Sequence, residues 1–174
     1  MDEFFSPVKG TTLFIGSYYS ASLCSKYKKT RPMDVVINVC CDDHDRFLKQ
    51  EFKEEEIDYF YLPIDDCEDQ ELIQSCVKPV FDIIEKYPGK NILIHCYMGI
   101  SRSVSCVIYY LIMKLGLNYE DALALVRKTR KVADPNDGFA EALIQLSKSE
   151  QEVSESTTLA TQMSKSGQRS STSL

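Results

Sequence analysis

Two apolar patterns with different periods meet across one short polar segment, and that junction constrains the fold more than any other stretch. Ile92-Leu93-Ile94 is a continuous run that reads as a buried strand, while Val104, Val107, Ile108, Leu111, Ile112 and Leu115 recur at helical spacing. Between the two runs lie His95-Cys96-Tyr97-Met98-Gly99-Ile100-Ser101-Arg102-Ser103. A strand handed so directly to a helix belongs to an α/β chain. The start of a helix leaves backbone N–H groups unpaired and carries partial positive charge, so the loop is suited to hold an anion.

The side chains in the loop add chemistry to that cradle. A thiolate is a nucleophile, and loop amides, a helix N-terminus and a guanidinium all favour the thiolate form. Arg102, six positions after Cys96, offers a planar fork that matches two oxygens of a phosphate. Gly99 permits backbone angles that larger residues resist. Ser103 is placed to donate its hydroxyl to the cysteine sulfur and steady a departing thiolate. A cysteine and an arginine six apart are a weak pattern alone, and Cys40 and Arg46 repeat it. That second copy encloses Cys41, Asp42, Asp43, His44 and Asp45. Its three carboxylates would repel phosphate and it has no glycine, so it reads as chance.

The segment HCYMGISRS resembles the active-site loop of the dual-specificity phosphatases, a branch of the cysteine-based protein tyrosine phosphatases. Their pattern is His-Cys, five residues, Arg, then Ser or Thr. The resemblance covers roughly residues 6–148 and implies a central, largely parallel five-stranded sheet flanked by helices. It implies hydrolysis of phosphotyrosine and of phosphoserine or phosphothreonine on a phosphoprotein substrate through a phosphocysteine intermediate. Cys96 is then the nucleophile, Arg102 the phosphate fork and Ser103 the aid to thiolate exit. The backbone amides of Tyr97, Met98, Gly99, Ile100, Ser101 and Arg102 would bind the phosphate, with no metal or other cofactor required. His95 is expected to be buried and hydrogen-bonded, fixing the loop rather than titrating.

Expelling the oxygen of a phosphomonoester calls for a general acid. Members of the family carry an aspartate about thirty residues before the cysteine, at the end of a strand. Here Leu62-Pro63-Ile64-Asp65-Asp66 fits, and Asp66 stands thirty residues before Cys96. Asp65 and Glu68 remain alternatives, because register is poorly fixed in an acidic run. Two departures accompany the match. Tyr97 and Met98 stand where smaller or more polar residues are common, forming an apolar wall or narrowing the pocket. The loop has no lysine, unlike phosphoinositide-cleaving relatives, and no kinase-docking domain precedes it. On that basis the chain is expected among the small, stand-alone members. A binding module that holds phosphate without cleaving it, and a phosphatase for RNA 5′ ends or carbohydrate phosphate, are the rival readings.

Composition narrows the partners. The net charge of −6 argues against nucleic acid, whose phosphates reward clustered Lys and Arg. No apolar run approaches the ~18 residues of a membrane span, and the acidic MDEFFSPVKG start lacks a signal peptide. Seven cysteines, an odd number, suit reduced thiols in the cytoplasm, the nucleus or both. With two histidines and no CxxC pair, a zinc site is not expected.

Along the chain, Thr11–Ile15, Val35–Val39 and Ile57–Leu62 read as strands, with a short helix over Ser20–Lys29, a turn over Asp42–Asp45 and a surface helix or loop over Phe47–Glu56. Asp69 is a candidate cap for a helix to Lys86 that Pro79 should kink or restart. Gly116 is placed to end the helix after the loop, and Asn118 to cap the next. That next helix closes on Arg127, Lys128, Arg130 and Lys131, cations favoured at a helix C-terminus. By resemblance this region borders the pocket, so Arg130 is also a candidate to touch a second phosphate or an acidic side chain of the substrate. Pro135-Asn136-Asp137-Gly138-Phe139 resembles the family's opening of the last helix, with Asn136 structural. Residues 149–174 are rich in Ser, Thr, Glu and Gln and read as a disordered tail closing on Thr172-Ser173-Leu174.

Overall fold

Strand β5, Ile92–Cys96, occupies the middle of a five-stranded sheet and is buried along its whole length. The computed structural model describes residues 4–41, 46–66 and 70–167. The other strands are β1 (Ser6–Pro7), β2 (Leu13–Ser17), β3 (Val35–Asn38) and β4 (Asp58–Tyr61). The first helices are α1 (Tyr18–Ser22), α2 (Cys24–Tyr27) and α3 (Arg46–Glu54). They are followed by α4 (Gln70–Lys86), α5 (Arg102–Leu115), α6 (Tyr119–Arg127) and α7 (Asp137–Gly167). Strand order is β1-β2-β5-β3-β4, parallel at every pairing except β1 against β2. The largely parallel sheet expected from the sequence is therefore found.

Parallel strands are covered on both faces, which is why β3 and β5 are unbroken apolar runs rather than alternating ones. Val35, Ile37, Ile92 and Ile94 point into one core with Val104, Val107, Ile108 and Leu111 of α5. Val36 and Leu93 point the other way, against Phe5, Met33, Leu48 and Phe52. The register sets Ser17 opposite Cys96 and Asn38 opposite His95. The carboxyl ends of β2, β5 and β3 thus meet at one edge, where open α/β sheets bind ligands.

Several local expectations shift. The polar stretch after β2 forms two short helices, because Ser17 and Ser20 build a reciprocal capping box that starts α1 at Tyr18. α3 is anchored rather than merely superficial: Leu48 and Phe52, four residues apart, are buried. α4 runs without restart through Pro79, which lies on its exposed side. Gly116 ends α5 at φ +65° and Asn118 caps α6 by accepting from the Asp121 N–H at 2.8 Å. The turn at Asp42–Asp45 and the cap at Asp69 lie outside the described residues.

Ser147 is buried on α7, and residues 148–154 are exposed. The helix itself continues to Gly167, through residues whose composition points to a disordered tail. Ser154, Ser156 and Thr157 each return a hydroxyl to a carbonyl three or four residues earlier at 2.8 Å, so their polar side chains are absorbed by the helix. No helix among the described residues is long and apolar enough to cross a membrane.

Candidate active site

The loop after β5 is held by its carbonyls. The Tyr97 carbonyl accepts from the Tyr18 N–H at 3.1 Å, the Ile100 carbonyl from Asp134 N–H at 2.9 Å, and the Ser101 carbonyl from Ser105 N–H at 2.8 Å. Arg130 takes the two between: its Nε donates to the Gly99 carbonyl and its Nη2 to the Met98 carbonyl, each at 2.9 Å. With these carbonyls engaged, the Gly99 N–H turns the other way, toward the loop's own centre. Cys96 shows the result. Its sulfur accepts from the Gly99 N–H at 3.1 Å and lies 3.3 Å from the Ser103 hydroxyl, with the residue only 2% exposed. Gly99 sits at φ +69°, and a Cβ there would fall 2.5 Å from both the Gly16 carbonyl oxygen and Arg130 Nη2.

Arg130 is therefore not a free cation at the pocket border. It is 8% exposed, and its fork is committed beneath the loop. Burial lowers its pKa, while the neighbouring Cys96 charge acts the other way. A position just past α6 among several cations gave no hint of that role; only the fold brings it under Met98 and Gly99.

Arg102 opens α5 and reaches across to the segment after β4. Its Nη1 lies 3.4 Å from the Ile64 carbonyl and 3.5 Å from Cys41 Sγ, and its Nε lies 3.6 Å from Asp66 Oδ2. Asp66 is half exposed and is held by side chains. Asn136 Nδ2 donates to its Oδ1 at 2.8 Å and the Ser101 hydroxyl donates at 3.3 Å. Asp65 faces elsewhere, toward the Cys41 thiol at 3.1 Å. Partial burial, then Asp65, raises the Cys41 pKa, with Arg102 opposing. Glu68 lies outside the described residues.

Asn136 does more than open α7. Its Oδ1 accepts from the Phe139 N–H at 2.9 Å while its amide holds Asp66, so one residue caps a helix and orients a carboxylate. The capping half was readable from Pro-Asn-Asp-Gly; the Asp66 half was not.

His95 is fully buried, as expected, but among the described residues neither ring nitrogen meets a partner with hydrogen-bond geometry. Burial pushes its pKa down to about 4, with a smaller opposing pull from the Cys96 backbone, so the ring is neutral near pH 7. It is held by packing, including an edge-on contact with Tyr18 at 6.5 Å between centroids. Elsewhere burial pushes the Cys24 thiol up to about 12 and raises Cys106 strongly. Tyr97 and Met98 are 63% and 60% exposed.

Residues 13–149 match the family model described as the dual specificity phosphatase catalytic domain. The chain belongs to the dual specificity phosphatase family. Dual specificity protein phosphatase 1 of Arabidopsis thaliana is 33% identical over 147 residues, covering 80% of this chain and 67% of that protein. Dual specificity protein phosphatase 22 of Xenopus tropicalis is 38% identical over 86 residues, covering 49% of this chain and 41% of that protein. The match to protein-tyrosine-phosphatase MKP1 of Arabidopsis thaliana, 36% identical over 104 residues, covers 59% of this chain and 13% of that protein. The chain thus spans between an eighth and two fifths of the length of the first curated relatives it matches. The fold is shared with human DUSP28, at a TM-score of 0.70, 23% identity and coverage of 84% and 95% of the two chains. It is shared with a mouse dual specificity phosphatase crystallised with zinc tungstate, at 0.72, 23%, 87% and 91%.

Proposed function

We propose that this family member hydrolyses phosphotyrosine and phosphoserine or phosphothreonine on protein substrates through a phosphocysteine intermediate. The Cys96 sulfur attacks phosphorus and the ester P–O bond breaks, while protonated Asp66 gives its proton to the departing oxygen. The inward N–H groups from Tyr97 to Arg102 and the Arg102 fork hold the phosphoryl oxygens as charge rearranges. The Asp66 carboxylate then takes a proton from water, the water oxygen attacks phosphorus, and the S–P bond breaks with orthophosphate as product. The Ser103 hydroxyl, 3.3 Å from the sulfur, steadies the thiolate as it leaves.

The single observation that carries this reading is what one loop brings together: a buried sulfur accepting a backbone N–H, and Arg102 at the loop's end 3.6 Å from Asp66, which the Ser101 hydroxyl also holds. The odd cysteine count supports a reducing compartment, cytoplasm or nucleus.

The test is turnover of a small aryl phosphate. Cys96→Ser is expected to lose at least about a thousandfold in kcat. Alkylation of Cys96 should be slowed by orthophosphate. Full turnover by Cys96→Ser would overturn the mechanism, and a wild-type chain that binds orthophosphate without turnover would make it a binding module.

A further inference from the structure

Resting on the phosphatase reading, we infer that the mouth of this site selects substrates by an apolar or aromatic side chain immediately beside the phosphorylated residue. Large hydrophobic side chains on and next to this loop are exposed although they sit on fixed backbone. Tyr97 is 63% exposed, Met98 60% and Tyr19 58%. Each springs from a segment tied to the loop: the Tyr97 carbonyl is bonded to the Tyr18 N–H, and the Met98 carbonyl to Arg130. Tyr19 follows Tyr18 directly and meets the Phe4 ring edge-on at 5.5 Å. Backbone anchored at these carbonyls makes a preorganised platform, so little ordering opposes a contact made on it.

The occupant follows from continuity with the phosphate site. Cys96 is 2% exposed at the floor of its loop, so only the phosphoryl end of a substrate reaches it. The chain bearing that phosphate has to cross the rim. Asp66, exposed and 3.6 Å from Arg102 Nε, puts a carboxylate beside the phosphate fork. Tyr97 is covalently next to Cys96, Met98 follows it, and Tyr19 follows Tyr18, whose N–H is bonded to the Tyr97 carbonyl; none of the three side chains carries a charge. Exposed uncharged Tyr97, Met98 and Tyr19 on segments tied to the loop, with the Asp66 carboxylate at the same site and a chain of net charge −6, fit a flanking Leu, Met or Phe better than a flanking Asp or Glu.

The experiment uses the full chain and phosphotyrosine peptides identical except for Leu or Ser at the position immediately before or after the phosphoresidue, alongside an aryl phosphate. In the wild type kcat/KM should favour one Leu peptide about tenfold, the scale of covering one aliphatic side chain. That ratio should fall to near one in Tyr97→Ser and at least threefold in Tyr19→Ser. It is read within each variant, so any change in overall turnover cancels. A wild-type ratio near one, or variants that keep it, with the aryl phosphate still hydrolysed, overturns this inference and leaves the phosphatase reading intact. No turnover of any substrate sinks that reading and this one with it. Sedimentation provides the other arm. A wild-type dimer that Tyr97→Ser or Tyr19→Ser dissociates would assign the rim to a second copy and overturn the inference.

Discussion

The two halves of the site are built in opposite ways. The thiol half is buried and fixed by main chain: five consecutive carbonyls, from Tyr97 to Ser101, are each bonded outward, and the Cys96 sulfur takes what turns inward. The acid half is exposed and fixed by side chains. Asp66 is placed by Asn136, by the Ser101 hydroxyl and by the facing Arg102 guanidinium. A backbone cradle tolerates change in its side chains but not in its struts. A carboxylate held by an amide and a hydroxyl is tunable, and losing one partner should weaken it by degrees.

That contrast is open to direct attack. Asp66→Asn removes the proposed proton donor and should cost about 10²–10³-fold in kcat for esters with poor leaving groups. The loss should shrink as the leaving group improves, and a flat response across a leaving-group series would move the role to Asp65 or Glu68. Arg130→Met would leave the Met98 and Gly99 carbonyls unpaired beneath the loop. We expect about 2–4 kcal/mol less stability in urea unfolding, and orthophosphate inhibition weakened by tenfold or more. If orthophosphate binds as before, the loop does not depend on that strut.

His95 sharpens the comparison through pH. Its folded pKa lies near 4, below the ~6.5 of an unfolded histidine. Above the unfolded value neither state binds the proton and the stability is fully present. As pH falls toward 4 the unfolded chain gains a proton that the folded one refuses, and stability drops by up to about 3 kcal/mol. Urea midpoints from pH 7.5 to 4.5 should show this slope in the wild type and a shallower one in His95→Gln. Equal slopes would refute it. Asn136→Ala should give the smallest effect: about 1 kcal/mol from the lost cap, and a several-fold fall in kcat confined to poor leaving groups. A loss independent of the leaving group would mean that Asn136 does not act through Asp66.

The same division explains what the sequence made legible. The thiol half was readable because it is local: β5, the loop and α5 are contiguous, and Cys96, Gly99, Arg102 and Ser103 lie within eight positions. The central strands were readable because strands covered on both faces lose their alternation, as Val35–Ile37 and Ile92–Ile94 do, while the parallel five-stranded sheet came from the family resemblance. The acid half was readable only as a first choice of Asp66 with Asp65 and Glu68 left open, because Ser101 and Asn136, the partners that set Asp66 apart from Asp65, are remote in sequence. Arg130 hid for the same reason, as one cation in a basic run until the fold brings its fork under Gly99. His95 was correctly placed inside, but a hydrogen-bond partner is a tertiary fact that residue type alone does not supply.

In the proposed reaction the phosphate is held by loop amides, so the chemistry asks little of the side chains of Tyr97 and Met98, which are 63% and 60% exposed. Their side chains work as an address written beside the catalytic machinery. Rewriting that address, while Gly99 and the struts stay in place, is the route by which such a scaffold is redirected to a new target without relearning its chemistry.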